Sequence, residues 1–286
     1  LKWKFLVRSA LRGKNIMMTG PAGSGKTVIA SKLSEVTNRP FYYFNLGATQ
    51  DPRATLIGNT HYAKDSGTFF AESLFIKAIQ TENAVILCDE LTRAHPEAWN
   101  ILMTVFDPNQ RYLRLDEAVD TPTIKVANNV SFIATANMGA EYTSTRVLDR
   151  ALLDRFQILE MEPLDARGEV ELLKIKFPQL DNNLIVQIAE ITDMTRKDVK
   201  SETPKLSTAI STRASVELAE LLLDGFTLLE AAEVCIVPQY SDAGGSDSER
   251  TFIRQYLQKF APVIASNGSA DILDSTAVLV DANVPF

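Results

Sequence analysis

The chain reads as an α/β domain built on a parallel sheet, followed by a smaller all-α domain. Three observations carry this. The first half alternates short apolar runs with helical patterns, as expected where helices cross over between parallel strands. Beyond Pro163 the strand-like runs stop and helical spacing takes over. Between the first strand-like run and the first long helical one lies Gly20 to Thr27, GPAGSGKT, a glycine-rich loop in strand-loop-helix context.

Taken in order, Lys2 to Arg8 (KWKFLVR) opens a helix packed beside that loop. Asn15 to Thr19 (NIMMT) is a short buried strand, and Val28 to Val36 a helix. Phe41 to Asn45 is the second strand. Its four rings, Phe41-Tyr42-Tyr43-Phe44, could stack on bases, but at a central-strand position they are expected in the core. Gly47 to Thr68 is a long loop with Gly47, Pro52, Gly58 and Gly67, ahead of a helical run Phe69 to Gln80. A loop that long in a compact domain usually has a function, and His61, Tyr62 and Lys64 are its candidates for touching a substrate. Ala84 to Cys88 (AVILC) is uniformly apolar, a strand covered on both faces. Pro96 to Phe106 has helical spacing, with Pro96 suited to a first turn. Arg111 to Leu115 and Thr123 to Val126 alternate around a turn at Asp116 to Asp120, which predicts a projecting hairpin. Ser131 to Thr135 and Gln157 to Met161 complete five strands, the latter ending in the exposed Glu160-Met161-Glu162. Helices follow at Ala166 to Lys176, Asn183 to Ile191, Ser211 to Asp224, Thr227 to Val237 and Ser248 to Phe260. Pro262 to Phe286 is rich in small residues and Asp and has no period, as in a tail that is disordered or packed on something else.

A chain of 286 residues can bury a real core and hold two domains. Its net charge of −7 argues against a broad basic surface for nucleic acid, although a local strip stays compatible with that average. Cys88 and Cys235 lie far apart, form no metal spacing and suit a reducing, cytoplasmic compartment. No apolar run approaches the length of a membrane span, and no secretory signal is visible. The chain opens on Leu1 rather than Met, as expected of a sequence lacking an N-terminal piece. His61 and His95, the only histidines, have no partner at metal or triad spacing.

The chemistry gathers at the ends of the strands. Gly20, Pro21, Ala22, Gly23, Ser24 and Gly25 match G-x-x-x-x-G-K-[ST] with Lys26 and Thr27, and Val28 opens the helix behind them. Glycines let backbone N–H groups turn inward around a polyphosphate at the positive end of a helix. Lys26 would reach the β- and γ-phosphates, and Thr27 would offer its hydroxyl to Mg²⁺. Asp89-Glu90 closes the third strand, at the edge where parallel sheets bind ligands. Asp89 can hold Mg²⁺ through its water shell, and Glu90, pointing elsewhere, can polarise an attacking water. Asn137 follows the fourth strand and can orient that water without adding charge. Arg155, just before the fifth strand, would point outward and reach a neighbour's γ-phosphate; its bland alternative is a surface pair with Asp154 or Asp149. Arg146 and Arg150 are rival fingers at helical spacing. Arg213, early in a helix of the second domain, could close over the phosphates.

The strings GPAGSGKT, ILCDELTRAHPE, FIATANMG, LDRALLDRF and STRAS together resemble the AAA+ ATPases. Within them the chain is similar to the MoxR-type branch, which also holds chelatase motor subunits and the McrB-type restriction motor. The likeness runs from Leu11 to Val237. It implies an AAA+ P-loop NTPase core with a parallel five-stranded sheet over residues 1–162, an all-α lid over 163–261 and a tail over 262–286. It implies Lys26 and Thr27 as Walker A, Asp89 and Glu90 as Walker B, Asn137 as sensor 1, Arg155 as arginine finger and Arg213 as sensor 2. Arg93 fits the branch's D-E-x-x-R-A. Residues 48–70 would be a helix-2 insert and 111–126 a pre-sensor hairpin, facing the pore or axial surface of a hexamer. Residues 198–205 are longer and more polar than a tight lid loop. The resemblance further implies ATP and Mg²⁺ as cofactors, and a hexameric homo-oligomer that remodels or assembles a partner protein, such as one with a von Willebrand factor A-type domain. The alternatives are a nucleic-acid translocase of the restriction type, a chelatase-type motor subunit, or a nucleotide-gated scaffold. The acidic balance counts against the first, and Glu90 with Asn137 counts against the last. Nothing in the sequence selects adenine over guanine.

Overall fold

The computed structural model describes residues 1–63, 67–115, 123–137 and 148–260. Helix α1 (Lys2–Leu11) leads into β1 (Ile16–Thr19), the glycine-rich loop, α2 (Lys26–Thr37) and β2 (Phe41–Asn45). Then come α3 (Pro52–Leu56), a hairpin of β3 (Gly58–Ala63) and β4 (Gly67–Glu72), α4 (Leu74–Gln80) and β5 (Val85–Asp89). Next are α5 (Pro96–Phe106), a second hairpin of β6 (Tyr112–Arg114) and β7 (Thr123–Lys125), β8 (Ser131–Ala136), α6 (Arg150–Leu153) and β9 (Gln157–Glu160). The remaining described elements are helical: α7 (Ala166–Lys176), α8 (Asn182–Val199), α9 (Thr212–Leu223), α10 (Leu228–Cys235) and α11 (Glu249–Gln258), with short 3₁₀ turns.

The main sheet has five strands in the order β2-β5-β8-β1-β9, and every pair is parallel. Parallel pairing brings all carboxyl ends to one edge, so Thr19, Asn45, Asp89 and Asn137 share it. Successive side chains alternate between two buried faces. Met17, Ile86, Cys88 and Phe132 pack with Phe75, Leu102 and Phe106 from α4 and α5. Ile16, Met18, Val85, Leu87 and Ile133 pack with Leu6, Ala30 and Leu33 from α1 and α2. Full burial of each Val, Leu, Ile, Met or Phe among them contributes about 1.5–3 kcal/mol. At the opposite edge the buried Arg39 and the half-buried Arg111 gather loose carbonyls. Arg39 donates to Ala10, Asn83, Ala84 and Asn129, and Arg111 to Gly13 at 2.6 Å and Val130 at 2.8 Å. Burial pushes both guanidinium pKa values down.

The fold departs from the sequence reading in three places. First, β2 is an edge strand, paired among the described residues only with β5, and Tyr43 is 46% exposed and not in the core. Second, the expected helix from Phe69 begins only at Leu74, because Gly67–Glu72 pairs antiparallel with Gly58–Ala63 and Ser73 caps the helix through Ile76 N–H. Third, α8 runs eight residues past Ile191, to Val199. Thr192 and Thr195 lie on its buried face and satisfy their hydroxyls on Ile188 O and Thr192 O, both at 2.8 Å. The added turns bring the helix to the start of the polar stretch 198–205, whose residues after Val199 are non-helical, and Asp198 caps the chain's exit by accepting from Lys205 and Leu206 N–H. The hairpin at β6 and β7 forms as expected. Lys64, Asp116–Asp120, Arg146 and the tail beyond Phe260 lie outside the described residues.

Candidate active site

The glycine-rich loop connects β1 to α2, and Gly23 (φ 75°) and Gly25 (φ 82°) sit in the left-handed region that glycine tolerates. Lys26 is 8% exposed, and its ammonium donates to Gly20 O at 2.9 Å and Pro21 O at 2.8 Å. Burial lowers its pKa, while the Asp89 carboxylate opposes that shift. The amine thus rests on the loop's own carbonyls, a place a phosphate oxygen can take.

Asp89, at the end of β5, is the centre of the polar cluster. Its Oδ2 accepts from the Thr27 hydroxyl at 3.2 Å and from the Tyr43 hydroxyl at 3.1 Å. Its Oδ1 accepts a short bond from the Thr135 hydroxyl of β8. Thr135 in turn accepts from Glu90 N–H at 2.9 Å. Glu90 takes φ 55°, which turns its side chain away from Asp89 and onto Arg93, at 3.2 and 3.4 Å. The two adjacent carboxylates therefore hold different partners, as their different expected roles require. Burial and the Asp89 carboxylate push the Tyr43 phenol pKa up. The neighbouring Cys88 thiol, fully buried, is pushed up to about 12 and stays protonated. Asn137 is half-buried beyond β8, at the same sheet edge.

The oxygens of Thr27 and Asp89 suit Mg²⁺, which takes few protein ligands and completes its shell with water and phosphate oxygens. Among the described residues no group of three His, Cys, Asp or Glu could hold a metal, and this donor set does not need one.

Between the loop and the second half of the chain lies a cavity of about 930 Å³, lined by Gly20, Gly23, Met161, Arg196, Ile210 and Ser211 among others. Neither Asp89 nor Glu90 lines it. Ser211 caps α9 through Ala214 N–H, and a Cβ on Gly23 would lie 2.7 Å from the Ser211 Cβ. The start of α9 is thus seated on the phosphate loop. Arg213, two residues on, is exposed and does not line the cavity. What does line it is Arg196, which the sequence reading passed over. Its guanidinium donates to Leu164 O at 2.5 Å, to the fully buried Glu169 at 3.0 Å and to the Thr212 hydroxyl at 3.1 Å. Thr212 and Ser215 also donate to Glu169, so one buried carboxylate joins α7, α8 and α9.

Arg155 is placed otherwise than expected. It sits at the amino edge of the sheet, away from its own phosphate loop, where its backbone carbonyl accepts from Asn15. Its side chain turns inward instead of outward. It donates to Met103 O and Ala151 O and pairs with Asp107 at 3.0 Å, and does not pair with Asp154 or Asp149. The reason is local: Asp107 ends α5 beside carbonyls that the helix leaves unpaired, and together they attract a guanidinium. Arg150 is exposed at the start of α6. His95 caps α5 through Glu97 N–H, and the His61 ring lies 5.9 Å from Phe69 across the β3–β4 hairpin. No helix among the described residues is long and apolar enough to cross a membrane.

Comparison with known proteins fits this geometry. Residues 15–156 match the family described as AAA domain (dynein-related subfamily), and residues 169–250 match the CbbQ/NirQ/NorQ C-terminal family. The "Putative chaperone BssE" of Thauera aromatica is 33% identical over 219 residues, covering 76% of this chain and 72% of that protein. An uncharacterised protein of Staphylococcus epidermidis is 31% identical over 217 residues, 73% of this chain and 78% of that one. Among solved structures, the RuvB Holliday junction branch migration motor of Thermotoga maritima aligns with a TM-score of 0.51 at 16% identity, over 82% of this chain and 67% of its own. That likeness is one of fold. Loop, carboxylate pair and helical second half together place the chain: it belongs to the AAA+ ATPases of the MoxR type, and is an ATP hydrolase.

Proposed function

We propose that the chain hydrolyses ATP with Mg²⁺ as one subunit of a ring, most simply a hexamer, and couples turnover to the assembly or remodelling of a partner protein. The observation that carries the catalytic part is the contact of Thr27 with Asp89, beside a Glu90 kept clear of both. Magnesium, when bound, supplies a divalent charge that neutralises the phosphate oxygens. Lys26 exchanges the carbonyls of Gly20 and Pro21 for β- and γ-phosphate oxygens. Free backbone N–H groups of the loop and of the first turn of α2 are offered to the same anion. Glu90 leaves Arg93 to accept a proton from the attacking water, and Asn137 orients that water. Arg213 reaches the phosphates from the start of α9. An arginine of a neighbouring subunit completes the charge: Arg155, on release from Asp107, or the exposed Arg150. The cavity beside Gly23 takes base and sugar.

The chaperone-like reading is supported by the name of the Thauera relative. Its partner, on our reading, is a protein, such as one with a von Willebrand factor A-type domain. The exposed rings of Tyr62 and Phe69 on the β3–β4 hairpin are the surface offered to it. The test is the Glu90→Gln protein. It should bind ATP, hydrolyse it poorly and retain both ring and partner on a column. Normal turnover would remove Glu90 as the base, and a nucleotide-loaded monomer would remove the ring.

A further inference from the structure

The edge strand β2 contributes something to the nucleotide site that the phosphate-loop pattern does not include. Asp89 stands at the end of β5, between β2 on one side and β8 on the other. From the β8 side the Thr135 hydroxyl donates to Oδ1. From the β2 side the Tyr43 hydroxyl donates to Oδ2 at 3.1 Å. Thr27 reaches the same Oδ2 at 3.2 Å, from the loop. A carboxylate has about four lone-pair sites, and these three hydroxyls fill three of them. A carboxylate gripped by donors on both flanks cannot rotate about its last bond without breaking one. We propose that Tyr43 is a positioning residue for the divalent cation: its hydroxyl fixes the carboxylate plane of Asp89, so that Asp89 and Thr27 are set for the metal's water shell before nucleotide arrives.

Tyr43 suits this role by where it stands. An interior strand would bury its ring between two neighbours, whereas β2 has one neighbour among the described strands and leaves Tyr43 46% exposed. Little packing depends on the ring, and its hydroxyl donates to Asp89 while also hydrogen-bonding the Asn45 side chain at the end of the same strand. Outer partners of this kind, which orient a metal-holding carboxylate, typically govern metal affinity by about 10–100-fold.

The inference rests on the proposed Mg–ATP reading, and the experiment separates the two. Calorimetry measures ATP affinity of the full chain with magnesium and again with excess EDTA, for the wild type and for Tyr43→Phe. The wild type should gain affinity from magnesium. Tyr43→Phe should lose roughly tenfold of that gain. Its affinity in EDTA, and its unfolding midpoint, should match the wild type. Turnover by Tyr43→Phe should return to the wild-type maximum as magnesium is raised, since only the half-saturating concentration shifts. An unchanged magnesium gain overturns the role of Tyr43 and leaves the Mg–ATP reading intact. Equal losses with and without magnesium also overturn it, because they mark a general disturbance of the loop. A wild type that gains nothing from magnesium takes down both.

Discussion

Lys26 shows how much of this chemistry depends on one side chain being kept from its usual surroundings. A buried ammonium needs acceptors, and here two loop carbonyls hold it until an anion takes their place. Lys26→Ala should abolish measurable nucleotide binding in calorimetry while leaving the fold intact by circular dichroism; retained affinity would refute the phosphate-loop assignment. Glu90 is the complementary case. Its ion pair with Arg93 is partly exposed and worth less than about 1 kcal/mol, so it can be released cheaply in a catalytic cycle. Glu90→Gln should therefore keep its ATP affinity and lose about 10²–10⁴-fold in turnover, read by phosphate release.

Helix α8 carries the clearest lesson at the level of elements. Arg196, three residues before its last, joins the Leu164 carbonyl, the buried Glu169 of α7 and Thr212 of α9. Removing one member of a buried pair strands the other, at a typical cost of about 3–5 kcal/mol. Glu169→Ala should lower the urea midpoint, with a loss of unfolding free energy of that order, and loosen the helical half first, as followed by hydrogen exchange along α7, α8 and α9. An unaltered midpoint would show that the pair does not hold these helices together. This network was illegible in the sequence for a physical reason: the charged residue that matters faces inward, and patterns of apolar spacing treat every arginine as facing out. The strand ends read well, because Asp89, Asn137 and the glycine-rich loop are fixed by backbone topology. Tyr43 did not, because nothing local distinguishes an edge strand from a central one; that depends on which strands pair with it.

At the level of the whole molecule, the open question is where the last positive charge comes from. Arg155 lies at the far edge of the sheet from its own Asp89, and Arg213 is exposed outside the cavity. If a second copy completes the site, Arg155→Ala or Arg150→Ala should bind ATP normally and turn it over about 10³-fold or more slowly. The responsible variant should regain part of its activity when mixed with Lys26→Ala subunits, each supplying what the other lacks. Mixtures with no recovery in either case would count against action between subunits. Arg155→Ala should also destabilise the chain slightly, since Asp107 loses its partner, whereas Arg150→Ala should not.

The seat of Ser211 on Gly23 has one more consequence. Two positions nearly two hundred residues apart in the chain share one volume, and neither can grow unless the other withdraws. Any swing of the helical half away from the loop must begin by parting that contact, so a reporter pair attached at its rim would register the first ångström of opening. A methyl group added at position 23 would act as a wedge, propping the two halves apart even before anything enters between them.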